Sequence, residues 1–371
     1  RRVAAASRGC PASLHDPRML LPTTRLQSAG VSLLLASGCW LGVVPPGLAD
    51  PPAEPAAVSA PASTLMTLEQ VRTISALQEM GSLPSEEKTA LRRVSLENSQ
   101  LKDKGALKVL KSGQEYAARG ADPETQTLDV EVLRKAEERF NLLVEDLAPS
   151  FSGGYANRAN VRVALKDYAG AVEDYEMALR LSPLSDDAWV NWLNRGSTLI
   201  ALGQPERALP DLQRSVELSK AAVASGANQA EKLSLLGRGS ALHALGRWEA
   251  AAADYGAVVS KAPSDVQPFW LRYGLELLQV GRTQDALGIV RRVAAKFDIE
   301  PECQLALYAA TNAAGGERGT AEAQRLWSVA PGEVKQRVAE LDLAQRQWPP
   351  AAADAARTFL RSVASAWSSG E

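Results

Sequence analysis

The chain has 371 residues, 46% of them hydrophobic and 23% charged, with a formal net charge of −2. That balance excludes wholesale disorder, a multi-span membrane protein and a globally basic nucleic-acid binder. Three cysteines and two histidines leave little material for a zinc cluster, a disulfide scaffold or histidine-based catalysis.

The chain opens on a leader. Residues 1–49 hold five arginines (Arg1, Arg2, Arg8, Arg18, Arg25) and one acid, Asp16, and 26–49 carry no charge. Within them Val31 to Val44 is an apolar core, broken by Pro45-Pro46 and followed by the small-residue site Gly47-Leu48-Ala49. A basic region, an apolar core and a small-residue site in that order define an export signal, so 1–49 is expected to be a presequence. A retained anchor is the alternative, opposed by Gly30, Gly38, Gly42 and a core too short to span a bilayer. Ala36-Ser37-Gly38-Cys39 departs from a lipoprotein site, and translation from Met19 would make the same core a bacterial signal peptide. Removing five of 41 basic and one of 43 acidic groups leaves 36 against 42, with Cys303 and His243 alone of their kinds.

Residues 50–66 are rich in proline and alanine (Pro51, Pro52, Pro55, Pro61) and read as an extended linker. Residues 67–150 form an N-terminal helical segment, expected to cap or dock on the main body. Its starts are the capping-box pattern Thr67-Leu-Glu-Gln70 and Pro84-Ser85-Glu86-Glu87, and a third helix is predicted over Lys104–Arg119, ended by Gly120 and Asp122-Pro123.

Residues 151–300 are self-similar. Tyr155-x-x-Arg158-Ala159, Trp192-x-x-Arg195-Gly196, Leu235-x-x-Arg238-Gly239 and Trp270-x-x-Tyr273-Gly274 each precede an alanine: Ala171, Ala208, Ala251, Ala286. Those alanines lie 37, 43 and 35 residues apart, and an aromatic or branched residue follows each by four: Tyr175, Leu212, Tyr255, Val290. The small residues are expected where helix A of a pair meets its own helix B, and the large ones are expected to fill the gap against the next pair. Pro183 and Pro263 should end B helices. Ala136, Phe140 and Leu143 give a B-like spacing before Pro149, and 301–371 read as a degenerate fifth pair (Ala323, Trp327, Ala330) with closing helices around Trp348-Pro349-Pro350.

This pattern resembles the tetratricopeptide repeat. The fold class it implies is all-α: a solenoid, a right-handed superhelix of antiparallel helix pairs with flanking capping helices. With the presequence, the chain is similar to nuclear-encoded tetratricopeptide proteins of the thylakoid lumen. The resemblance also implies a concave groove lined by positions 2, 5, 9, 12 and 13 of each repeat. Carried over, these give Asn160, Val163, Leu193, Ser197, Ile200, Leu233, Leu236, Ser240, His243, Leu271, Leu275 and Leu278 as the candidate partner-binding residues, with Ala156, Ala201 and Ala244 among the rest. None is charged. Family members that hold acidic tails use lysine and arginine where this chain has Ala156, Leu233 and Gly237, so a carboxylate clamp is not expected.

Chemistry is scarce. His243 has no acid at helical spacing, Cys303 reads as a buried small hydrophobe, and Gly315-Gly316-Glu-Arg-Gly319 as a loop. The adjacent pairs Glu173-Asp174 and Asp186-Asp187 read as solvated surface. No catalytic residue, metal site or cofactor is expected. The partner implied is a protein, offering an apolar peptide or helix that could belong to a membrane complex such as a photosystem. Nucleic acid is not expected, nor is a stable membrane span in the mature form. The function expected is a scaffold or assembly factor in the thylakoid lumen. The alternatives are a bacterial periplasmic binding module and an enzyme using carboxylates alone.

Overall fold

A computed structural model describes residues 85–121, 127–224 and 229–368. The leader, the linker and the capping box at Thr67 lie outside them. The described residues form fifteen α-helices. In chain order these are α1 (Ser85–Asn98), α2 (Lys104–Gly120), α3 (Val130–Leu142), α4 (Ser152–Ala164), α5 (Tyr168–Leu181), α6 (Ala188–Ala201), α7 (Pro205–Ala224) and α8 (Ala230–Ala244). Then come α9 (Trp248–Lys261), α10 (Phe269–Gln279), α11 (Thr283–Lys296), α12 (Pro301–Ala314), α13 (Gly316–Val329), α14 (Gly332–Ala339) and α15 (Pro350–Ser368). A π-helical turn, Leu143–Leu147, continues α3.

Helices pair consecutively, α2 with α3 through α12 with α13, and each pair stacks on the next. Every pair has an apolar face that it cannot bury alone, so stacking creates the core. The register follows from the small residues. A Cβ on Gly196 would stand 2.6 Å from Leu212 Cγ, and on Gly239 2.9 Å from Tyr255 Cε1. Thus the large residue of helix B seals its own pair, lying over the glycine sixteen residues earlier, where the sequence pattern alone assigned it to the next repeat. α2 and α3 form a further pair of this kind, with Gly113 under Phe140.

The A-to-B turns share one geometry. Gly203, Gly246 and Gly281 follow α6, α8 and α10 with φ of 73°, 67° and 76°. Beyond each, an amide reaches back five residues: Gln204 N to Leu199 O, Arg247 N to Leu242 O and Arg282 N to Leu277 O, at 2.8–2.9 Å. This is the Schellman closure, which satisfies carbonyls at the helix end. After α4 the same position is Lys166, a non-glycine at φ 65°. The Gly315–Gly319 stretch is a correction: it is no loop but a minimal turn opening α13, where a Cβ on Gly319 would stand 2.5 Å from Thr311 O.

Flanking segments dock on the stack of pairs. Asn98 of α1 donates to Leu181 O at 2.9 Å, capping a carbonyl at the end of α5, and Ser182 Oγ donates back to Ser95 O of α1 at 2.7 Å. At the other end residues 340–349, here called the strap, lead into α15 across the inner side of α10 and α12. Trp348 Nε1 donates to Glu302 Oε1 at 2.8 Å, and Ala351 N donates to Gln279 Oε1 at 2.6 Å. Leu343, Trp348, Ala352, Ala353, Ala356 and Phe359 share one core with Leu271, Leu275 and Cys303.

Candidate interaction face

Nine of the twelve expected groove residues are buried: Asn160, Val163, Leu193, Leu233, Leu236, His243, Leu271, Leu275 and Leu278. As a surface for a partner this set is corrected. Leu236 and Leu271, both named as candidate partner-binding residues, retain 7% and 6% of their accessible area. Two causes operate. Successive A helices approach closely, since a Cβ on Gly237 of α8 would stand 2.6 Å from Leu193 Cδ1 of α6. In the fourth repeat the strap and α15 cover Leu271, Leu275 and Leu278. Asn160 points inward, its Oδ1 accepting from Tyr175 OH at 2.6 Å and from Asn194 Nδ2 at 3.3 Å.

What remains open is Ser197, Ile200 and Ser240, with Ala156 and Ala201 also partly accessible and Ala244 exposed. This row runs along α4, α6 and α8 and stops where the strap begins. It is narrower than the sequence suggested, and uncharged.

A second constellation escaped the sequence reading. Arg158, Arg195 and Arg238 each bond an aspartate sixteen residues later, on the B helix of the same pair. Arg158 grips Asp174 through Nε at 2.9 Å and Nη2 at 2.7 Å, and reaches back to Glu145 and Asn141 near the preceding helix end. Arg195 Nη1 lies 3.1 and 3.2 Å from the two oxygens of Asp211, with Glu176 of α5 at 3.7 Å. Arg238 takes Asp254 at 2.6 and 2.8 Å and Gln213 of α7 at 2.6 Å. Each arginine therefore ties its own B helix to an element before it. Asp174 is buried, which corrects its assignment to solvated surface; Asp186 and Asp187 are exposed as expected. Burial raises the Asp174 carboxyl, while bonds from Arg158 and the charge of Arg162 pull it down.

The third constellation centres on His243. Its acid is not on its own helix but on the next A helix: Nδ1 bonds Glu276 Oε1. Arg272 Nη1 lies 3.2 Å from Nε2 and also donates to Gln347 O at 2.9 Å and Arg346 O at 3.3 Å, both in the strap. Trp248 meets the imidazole edge-on with centroids 5.3 Å apart. Burial lowers the His243 pKa most, and Arg272 lowers it further against the opposing pull of Glu276. Glu276 Oε2 is buried without a hydrogen-bond partner.

Little here resembles an active centre. Burial pushes the Cys303 thiol well above its ordinary range, which keeps it protonated and a poor nucleophile. Among the described residues no cluster of three histidines, cysteines or carboxylates could hold a metal, and no helix is long and apolar enough to cross a membrane.

Comparison with known proteins agrees at the level of the repeat. No curated protein matches the chain in sequence. A solved structure of PilW, described as a widely conserved type IV pilus biogenesis factor, is similar over 64% of this chain and 100% of its own, at 16% identity and a TM-score of 0.47. Residues 191–221, most of α6 and α7, match the tetratricopeptide repeat family model. The same small-over-large register recurs in the pairs on either side of that unit, so the fold is an all-α solenoid of tetratricopeptide type.

Proposed function

We propose that this chain is a non-catalytic scaffold or assembly factor that holds an apolar helix or peptide of a partner protein on the concave side of α4, α6 and α8. The observation that carries this reading is the uncharged, partly exposed row Ala156, Ser197, Ile200, Ala201, Ser240 and Ala244. Repeat solenoids use such faces to bind chains, and an amphipathic helix laid in an apolar groove needs no charge to match. The thylakoid lumen is our proposed location, supported by the order of basic, apolar and small-residue segments in the leader. The bacterial periplasm is the second reading, favoured by Met19 ahead of the same apolar core.

A photo-crosslinking residue placed at Ile200, compared with one at exposed Ala257 on α9, tests the face in the native compartment. The Ile200 probe should capture a partner that the Ala257 probe does not. Adding Ala244→Glu should abolish that capture while leaving the helical signal intact, because a desolvated carboxylate is strongly disfavoured in an apolar contact. Capture from Ala257 alone would refute the concave reading.

A further inference from the structure

We propose that His243, Glu276 and Arg272 form a proton-sensitive clasp, in which protonation of His243 frees residues 341–347 of the strap from the inner side of α10 and α12. The clasp stands on its own geometry, independent of what binds the open concave row.

The argument begins with donors and acceptors. Arginine can only donate, so the 3.2 Å contact from Arg272 Nη1 requires a lone pair on His243 Nε2. The proton of a neutral imidazole then sits on Nδ1, where Glu276 Oε1 accepts it. In this tautomer one arginine serves three acceptors: the imidazole and the strap carbonyls of residues 346 and 347. A second proton on His243 converts Nε2 into a cationic donor facing a guanidinium. Arg272 loses an acceptor, meets a like charge, and finds the new N–H competing for the Gln347 carbonyl, which lies within reach of the imidazole. Each effect pushes Arg272 away from the strap.

The charged and titratable surroundings are few. From α10 come Glu276 and Arg272; from α9 comes the uncharged Trp248 ring. Tyr255, also of α9, is buried and coupled to both Arg272 and Glu276, with its hydroxyl held well above its ordinary range by burial. Arg346 of the strap turns its own guanidinium to Glu302 of α12 at 3.5 Å. Glu276 and the Gln347 carbonyl favour an imidazolium, and burial together with Arg272 opposes it. Gln347, a non-glycine at φ 54°, closes a local turn in which its amide bonds Ala344 O and the Trp348 amide bonds Leu343 O, both at 2.9 Å. Trp348 remains bonded to Glu302 and α15 remains packed, so release is confined to the segment before Trp348.

Because His15 is the one other histidine in the sequence, a His15→Ala background leaves His243 as the sole imidazole. In that background amide exchange, corrected for intrinsic rates, is compared at about pH 7.5 and about pH 5.5. Protection of residues 341–347 should fall about tenfold or more at the lower pH while α4 to α7 hold steady. His243→Gln, which can accept from Arg272 and donate to Glu276 at either pH, should remove most of that change. The His243 titration midpoint, read by NMR in the unsubstituted clasp, should coincide with the midpoint of strap opening. Unchanged protection in the wild-type clasp, a full pH response in His243→Gln, or midpoints about one pH unit apart would each overturn the proposal. If His243→Gln fails to fold, the coincidence of midpoints decides.

Discussion

The arginine–aspartate ladder makes a graded prediction about stability. Asp211 is fully buried and the Arg195 side chain is 5% exposed. Asp211→Ala would leave that guanidinium inside the stack with Glu176 at 3.7 Å, while its Nε already lacks an acceptor. Stranding one partner of a buried pair costs about 3–5 kcal/mol, a large share of the 5–15 kcal/mol typical of a folded domain. Asp254→Ala should cost less, about 1–2 kcal/mol, because water reaches the 21% exposed side chain of Arg238 and screens it. Replacing both members, Arg195→Met with Asp211→Leu, removes the desolvation cost along with the attraction and should return stability to within about 1–2 kcal/mol of wild type. Urea unfolding followed by helical circular dichroism reads all three variants, with amide exchange in α6 and α7 to localise the loss in an array that need not melt as one unit. An Asp211→Ala loss below about 1 kcal/mol, or a double variant as unstable as the single, would refute the view that this pair is a stranded-charge hazard.

Four further outcomes are expected. Ala251→Leu should cost about 1–3 kcal/mol by overpacking, since Ala251 is fully buried where α9 meets α8; an unchanged melting temperature would show the register to be wrong. Lys166→Gly should stabilise by up to about 1 kcal/mol, measured by urea midpoint, because it relieves a non-glycine at positive φ in a turn that its sister repeats make with glycine. The depressed folded-state pKa of His243 means that the unfolded chain binds more protons below about pH 6.5, so the urea midpoint should drop as pH falls from there toward the folded value, and less so in His243→Gln. The accumulated protein should begin at or near Asp50, and N-terminal mass spectrometry finding residues 31–44 would count against export processing.

Some of this architecture is legible in the sequence because it is local and periodic. Gly196 over Leu212 and Gly239 over Tyr255 are one contact repeated at one spacing, and a pair whose turn has constant length must show it. The same sixteen-residue offset joins Arg158 to Asp174 and Arg238 to Asp254, yet those aspartates are easily read beside their sequence neighbours rather than across the helix turn. Glu173 and Asp174 are adjacent, but what defines Asp174 is an arginine on another helix. In the first pair the connection through residues 121–129 lengthens the offset, and Gly113 meets Phe140 without leaving a matching spacing. Periodicity finds contacts within a unit only when the loop does not change.

The concave face was harder to read for a different reason. Whether an A-helix position faces a partner or a neighbour depends on the distance between successive A helices and on what later segments cover. Leu236 lies in the core that α7, α8 and α9 close together, and Leu271 is sealed by residues some seventy to eighty positions further on. Neither fact is written near the residue it buries. His243 follows the same logic, since its acid comes from α10 and its third neighbour holds the strap. A glutamate that would be costly alone in that interior is tolerable because the imidazole donates to it, and the imidazole is held neutral chiefly by burial, with the charge of Arg272 adding to it. The strap's carbonyls accept from the same Arg272 Nη1 that faces the imidazole. Closure of the fourth repeat and neutrality of His243 are thus two aspects of one hydrogen-bond network, which is why changing the proton count at that one ring should be felt at the strap.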